Sequence, residues 1–168
     1  PGGLRMTPVI YNDTIIIVDQ MGVVVFINPE TGEVEKQIQT KARKPIALPV
    51  TISEESVYFA DSTGHIVCID LGKDLVKWER DLFDENMAIY HQLECGAESV
   101  NIYTRGTLYR ISRPTGDEYL PPLSHVSSPP LYKDGTLYFG TTEGFFVSID
   151  EKSGTIGMKI NIGQKMTT

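Results

Sequence analysis

At 168 residues, 40% of them hydrophobic and 22% charged, the chain is long enough for a sizeable core and too apolar to be a disordered one. A net charge of −7 argues against nucleic acid as a partner, because binding to a phosphate backbone draws on Lys and Arg. No run of residues approaches the ~18 apolar positions of a membrane span, so no membrane span is expected.

The first strand signal is Thr7-Pro8-Val9-Ile10-Tyr11, followed by the turn Asn12-Asp13 and a β-branched strand, Thr14 to Val18. Asp19 to Gly22 is the next turn, Val23 to Ile27 the third strand, Pro29-Glu30-Thr31-Gly32 a tight turn, and Glu33 to Gln39 a wetter fourth strand. The two middle strands are apolar at successive positions rather than alternating, which predicts packing on both of their faces.

This order then recurs. Leu48-Pro49-Val50, Ser56 to Ala60, Gly64 to Asp70 and Leu75 to Glu79 are read as the strands of a second unit. The third is degenerate, with an opening strand expected within Ala88 to Leu93, then Val100 to Tyr103, and a different turn into Gly106. The fourth runs from Ser128-Pro129-Pro130-Leu131 through the hairpin-type turn Asp134-Gly135 to Thr136–Gly140 and Gly144–Asp150. One frame marks every copy: Gly22-Val-Val-Val-Phe-Ile-Asn28, Gly64-His-Ile-Val-Cys-Ile-Asp70, Gly106-Thr-Leu-Tyr-Arg-Ile-Ser112 and Gly144-Phe-Phe-Val-Ser-Ile-Asp150. The frame glycines stand 42, 42 and 38 residues apart, the length of a four-stranded propeller blade. Helical repeats of that period are excluded by turn signals too closely spaced for two helices. The expected fold is all-β, a β-propeller of four-stranded antiparallel blades with about four blades in approximate repeats 5–44, 45–84, 85–124 and 125–164, forming a single segment over 1–168.

Gly3 to Pro8 and Gly163 to Thr168 read as the same lead-in to a blade, and the chain opens Pro1-Gly2-Gly3 without Met. It is therefore expected to be an excerpt of a seven- or eight-bladed propeller or a processed product. Exposed blade edges and faces then predict self-association rather than a clean monomer.

With Trp78 eight residues after Asp70, and Thr31-Gly32 and Ser153-Gly154 in matching turns, the repeat resembles that of pyrroloquinoline-quinone-type (PQQ-like) β-propellers. In that family the Trp docks between blades; here the equivalent positions hold Lys36, Trp78, Leu120 and Met158. The family's quinone dehydrogenases, as the resemblance implies, hold their cofactor with an adjacent Cys-Cys disulfide, a stacking Trp, a catalytic Asp and a calcium-binding Glu/Asn set. This sequence has no adjacent cysteines, and its single Trp occupies the docking position. The resemblance favours the outer-membrane-assembly lipoprotein branch.

The residues point to no reaction. Cys68 and Cys95 lack CxxC spacing and read as structural thiols rather than a disulfide. His65, His91 and His125 fall at unlike points of three units, without the spacing of a zinc site. Asn28, Asp70 and Asp150 end the third strands, where their side chains can accept hydrogen bonds from the following turn. The frame glycines precede strands rather than helices, so they are turn glycines and not phosphate loops. Lys41-Ala42-Arg43-Lys44-Pro45 is the one basic patch, a solvated connector or a partner contact. No catalytic, cofactor-binding or metal residue is assigned, and no cofactor. The expected function is a non-catalytic scaffold that binds another protein, in the periplasm or cell envelope, as the resemblance implies. The alternative is part of a PQQ-dependent dehydrogenase whose active site lies in other blades.

Overall fold

A computed structural model describes residues 7–42, 46, 49–82, 89 and 91–163. Among them are sixteen strands and no helix, arranged as four antiparallel sheets in which sequence neighbours are spatial neighbours. The first sheet is β1 (Val9–Tyr11), β2 (Thr14–Val18), β3 (Val23–Ile27) and β4 (Val34–Gln39). The second is β5 (Thr51–Ser53), β6 (Ser56–Ala60), β7 (His65–Asp70) and β8 (Leu75–Asp81). The third is β9 (Glu94–Cys95), β10 (Ser99–Thr104), β11 (Thr107–Ser112) and β12 (Glu118–Leu123). The fourth is β13 (Leu131–Lys133), β14 (Thr136–Gly140), β15 (Phe145–Asp150) and β16 (Ile156–Asn161). These are the blades of a β-propeller.

Local chemistry repeats from blade to blade. The first hairpins turn on Asn12-Asp13 and Asp134-Gly135, each pair with both φ angles positive, the backbone twist a two-residue hairpin requires. In the second turn, Met21 N–H and Val23 N–H donate to Asp19 Oδ1 at 2.8 and 2.9 Å. Thr63 N–H and His65 N–H do the same to Asp61 Oδ1, and Phe145 N–H to Thr141 Oγ1. The frame glycine follows: Gly22 has φ +75°, and a Cβ there would overlap Ala42 and Thr40. Its carbonyl accepts the N–H of Thr40 as the chain leaves β4. Gly64, Gly106 and Gly144 accept from Leu82, Val126 and Ile162 in the same way. The third blade differs as its sequence suggests, with Arg105-Gly106 forming a two-residue turn.

Register makes the four blades equivalent. Phe26 pairs with Lys36, Cys68 with Trp78, Arg110 with Leu120 and Ser148 with Met158. In each blade the ladder slips just after that pair, before Ile27, Ile69, Ile111 or Ile149. At the ends of the third strands Asn28 Oδ1 accepts from Glu30 and Thr31, Asp70 Oδ1 from Lys73, and Asp150 Oδ1 from Ser153.

The opening strands lie later than the sequence suggests. β5 begins at Thr51, beyond Pro49 and Val50, and β13 at Leu131, beyond Pro129-Pro130. Proline has no N–H for the ladder, so pairing starts after it. In the third blade the opening strand is only Glu94–Cys95, not a segment within Ala88 to Leu93. Residues 48, 88 and 90 of those expectations lie outside the described set, as do the two lead-ins at 3–6 and 164–168.

The chain divides into two compact units, residues 1–92 and 93–168. In the first, Ile16, Val18, Val24 and Phe26 pack against Val57, Phe59, Val67 and Ile69. In the second, Leu108 and Val126 pack against Leu137, Phe139, Val147 and Ile149. Both faces of β6 are buried, as expected, but β2 and β3 are not buried throughout. Ile15, Ile17, Val25 and Ile27 stay half-buried, because only the opposite face of that sheet meets a neighbouring sheet in its unit.

Candidate functional site

The second unit contains a cavity of about 300 Å³ between its two blades, walled by Leu123, Phe139, Val147, Ile149, Ile156 and Lys159. Strand register builds it: Leu123 stands opposite Leu108, Lys159 opposite Val147, and Ile156 opposite Ile149. Phe139, Val147 and Ile149 are core residues, whereas Ile156 is 63% exposed, so the cavity grades from core to surface. Glu143 and His125, both exposed, stand at its polar side, and His125 is held at φ +62° while its carbonyl accepts Thr142 N–H. Lys159 Nζ lies 4.1 Å from the centre of the Phe145 ring, a cation–π contact. An apolar slot with a mixed-charge rim suits an apolar side chain of another molecule. Its lining also carries Ser124, Thr141, His125 and Glu143, and among the described residues no hydrogen bond joins either hydroxyl to His125 or Glu143.

Beside Gly154, which lines this cavity, the buried Arg110 donates from Nη2 to Pro121 O at 2.8 Å. Its Nε and Nη1 find no acceptor among the described residues. Burial lowers the guanidinium pKa below its ordinary value, an effect partly opposed by Tyr119.

In the same unit, Glu151 is 1% exposed and its carboxylate reaches across to the β9–β10 turn. It accepts the N–H groups of Ala97, Glu98 and Ser99 and the Ser99 hydroxyl at 2.8–3.1 Å. Arg113 donates to the carbonyls of Gly96 and Ala97 in that turn. Buried charges thus satisfy the amides of residues 97–99 and the carbonyls of Gly96 and Ala97. Sequence reasoning missed this tie, because the frame places Glu151 where the other blades have Pro29, Leu71 and Arg113.

The sequence-selected residues separate into structural roles. His65 is buried in β7, with Nδ1 2.6 Å from Asp81 Oδ1 and Nε2 4.0 Å from Glu79 Oε1. Glu79 also accepts Lys41 N–H at 2.7 Å, so this carboxylate pins the basic connector. Arg43, Lys44 and Pro45 of that patch lie outside the described residues. His91 and His125 are exposed. Cys68 is buried and Cys95 half-buried, and neither is disulfide-bonded. Trp78 is 7% exposed beside the Tyr58 ring, with centroids 6.0 Å apart. In the first blade its position is taken by Lys36, which lies over the Phe26 ring and pairs with Asp74.

The Trp78 ring stands beside that of Tyr58 in the same blade, and among the described residues no three His, Cys, Asp or Glu side chains converge on a metal position. No helix among the described residues is long and apolar enough to cross a membrane.

Four-stranded blades sharing one frame and one ladder slip define a propeller of PQQ-like repeats. The family model for outer membrane protein assembly factor BamB matches residues 3–120, and the chain belongs to that family. A search of curated protein sequences finds no match. Among solved structures the chain is similar to BamB from Moraxella catarrhalis, with TM-score 0.74, 15% identity, and coverage of 98% of this chain and 51% of that one. It is also similar to quinohemoprotein alcohol dehydrogenase from Comamonas testosteroni, with TM-score 0.66, 14% identity, and coverage of 95% and 35%. A europium-containing methanol dehydrogenase matches with TM-score 0.72, 10% identity, and coverage of 95% and 42%. At these identities the likeness concerns the fold, and the chain spans about half of the BamB structure and less of the two dehydrogenases.

Proposed function

We propose that this chain is a non-catalytic segment of a β-propeller scaffold, one continuous segment over 1–168, that binds another protein in the periplasm or cell envelope. The observation that carries the reading is the cavity between the blades of the second unit, whose apolar walls open to the surface at Ile156 and Lys159. Such a slot accepts an apolar anchor from a partner, the kind of contact that dominates protein–protein affinity. Membership of a family described by an outer-membrane assembly factor supports both the partner class and the compartment. A photo-crosslinking amino acid placed at Ile156 in cells is expected to capture a protein partner, and the same group at exposed Glu30 is not. Equal capture at both positions, or none at Ile156, removes the cavity as the site. The alternative, a segment of a quinone-dependent dehydrogenase, draws on the similarity to the Comamonas enzyme. Saturable quenching of Trp78 fluorescence by added pyrroloquinoline quinone would favour it.

A further inference from the structure

The blade interfaces inside the two units carry the same positions but not the same charges. Across the first, Lys36 of the first blade lies over the Phe26 ring and pairs with Asp74 of the second. Asp74 is the tenth residue after its frame glycine and has φ +55°. Across the second interface, Arg110 and Leu120 of the third blade stand where Phe26 and Lys36 do. The tenth residue after the frame glycine of the fourth blade is Gly154, at φ +69°. The cation has thus moved from the fourth strand of its blade to the third, and the position of its carboxylate partner is held by a residue without a side chain.

Arg110 is 3% exposed, and its Nε and Nη1 have no acceptor among the described residues. Nη1 lies 3.3 Å and Nη2 3.8 Å from the point that a Cβ on Gly154 would occupy. A guanidinium presents its donors as a fork that matches a carboxylate, and buried donors left unmatched are costly. Gly154 also belongs to the wall of the cavity that opens at Ile156, so an apolar chamber adjoins an incompletely paired cation. Lys159 and His125 add to the positive side of its lining, opposed by the carboxylate of Glu143, which is exposed and therefore screened by solvent.

We infer that this cavity is a carboxylate site: the partner segment whose apolar anchor it receives carries an acidic side chain next to that anchor, and the carboxylate comes to rest at Gly154 against Arg110, as Asp74 does against Lys36. The inference rests on the cavity being the partner's docking place and adds the chemistry of what enters it. Folding has already taken Arg110 out of water, so an entering carboxylate gains the pairing without that part of the desolvation cost. An apolar side chain alone would leave Nε and Nη1 as they are, and a basic segment would meet Arg110 and Lys159 as like charges.

The test titrates the full chain, isotope-labelled for magnetic resonance, with two probes of one shape, isocaproate and isocaproamide, while the backbone amides of Gly154 and Ile156 are followed. Isocaproate is expected to shift both amides saturably and to bind about tenfold more tightly than isocaproamide. In Arg110→Met the two probes are expected to bind alike, at the weaker affinity. In Gly154→Asp, which gives the chain its own carboxylate at a backbone angle that Asp74 already adopts, the preference for isocaproate is expected to disappear. Equal affinities in the unaltered chain, a comparison that needs no variant to fold, overturn the inference and leave apolar docking standing. So does a preference for isocaproate that survives Arg110→Met in a chain with unaltered β-sheet circular dichroism. Absence of a saturable shift from either probe overturns it as well, and capture by the crosslinker at Ile156 then decides separately whether the cavity receives a partner.

Discussion

A Cβ on Gly96 would overlap Glu151 Oε1, so the carboxylate reaches the amides of residues 97–99 only because position 96 has no side chain. Replacing Glu151 with Ala leaves three backbone N–H groups and the Ser99 hydroxyl without their buried acceptor. A loss of at least about 3 kcal/mol in urea unfolding is expected. Arg110 presents the reverse case: a buried cation with two nitrogens lacking acceptors among the described residues. Arg110→Met should leave stability unchanged or raise it by up to about 2 kcal/mol, since an apolar side chain of similar volume avoids that desolvation. Asp150 is held below its ordinary pKa of 3.8, first by the Ser153 N–H and then by the Ser153 hydroxyl. A depressed carboxyl pKa contributes stability above the unfolded value and loses it as pH falls through the folded one. Asp150→Ala is therefore expected to weaken the chain near neutrality and to flatten the part of its acid-unfolding curve below about pH 4.

At the scale of the element, the partner of the third-strand residue just before the ladder slip has the same place in every blade but different chemistry. Trp78 is buried against Tyr58, whereas Lys36 is half-exposed over Phe26. Trp78→Ala is expected to cost about 3–5 kcal/mol, and Lys36→Ala less than about 1 kcal/mol. Equal losses would mean that both side chains fill equivalent core slots. The spacing of Lys36, Trp78, Leu120 and Met158 was legible in the sequence because the frame fixes register. Their burial was not, since it depends on what stands opposite. The late starts of β5 and β13 follow from Pro49, Pro129 and Pro130, whose missing N–H groups are visible in the sequence but whose effect depends on which strand is paired.

For the whole molecule, apolar packing within two units supplies the cohesion, with no disulfide at either cysteine. Adding a thiol reductant is accordingly expected to leave the thermal midpoint where it is. A drop of several degrees would mean that Cys68 or Cys95 is cross-linked in the folded protein, because removing a native disulfide typically costs a few kcal/mol.

The sequence by itself determined the repeat, the strand order and the turns. Those depend on near neighbours: β-branched runs, hairpin pairs such as Asp134-Gly135, and the frame glycines with their positive φ. It also placed Asn28, Asp70 and Asp150 correctly as acceptors for their own turns. Tertiary structure alone decided which faces are covered, how Glu151 reaches a turn more than fifty residues away, and where the cavity at Ile156 opens. A repeat assigns equivalent residues to equivalent positions, but burial depends on what packs against each face, and the repeated frame contains no information about that.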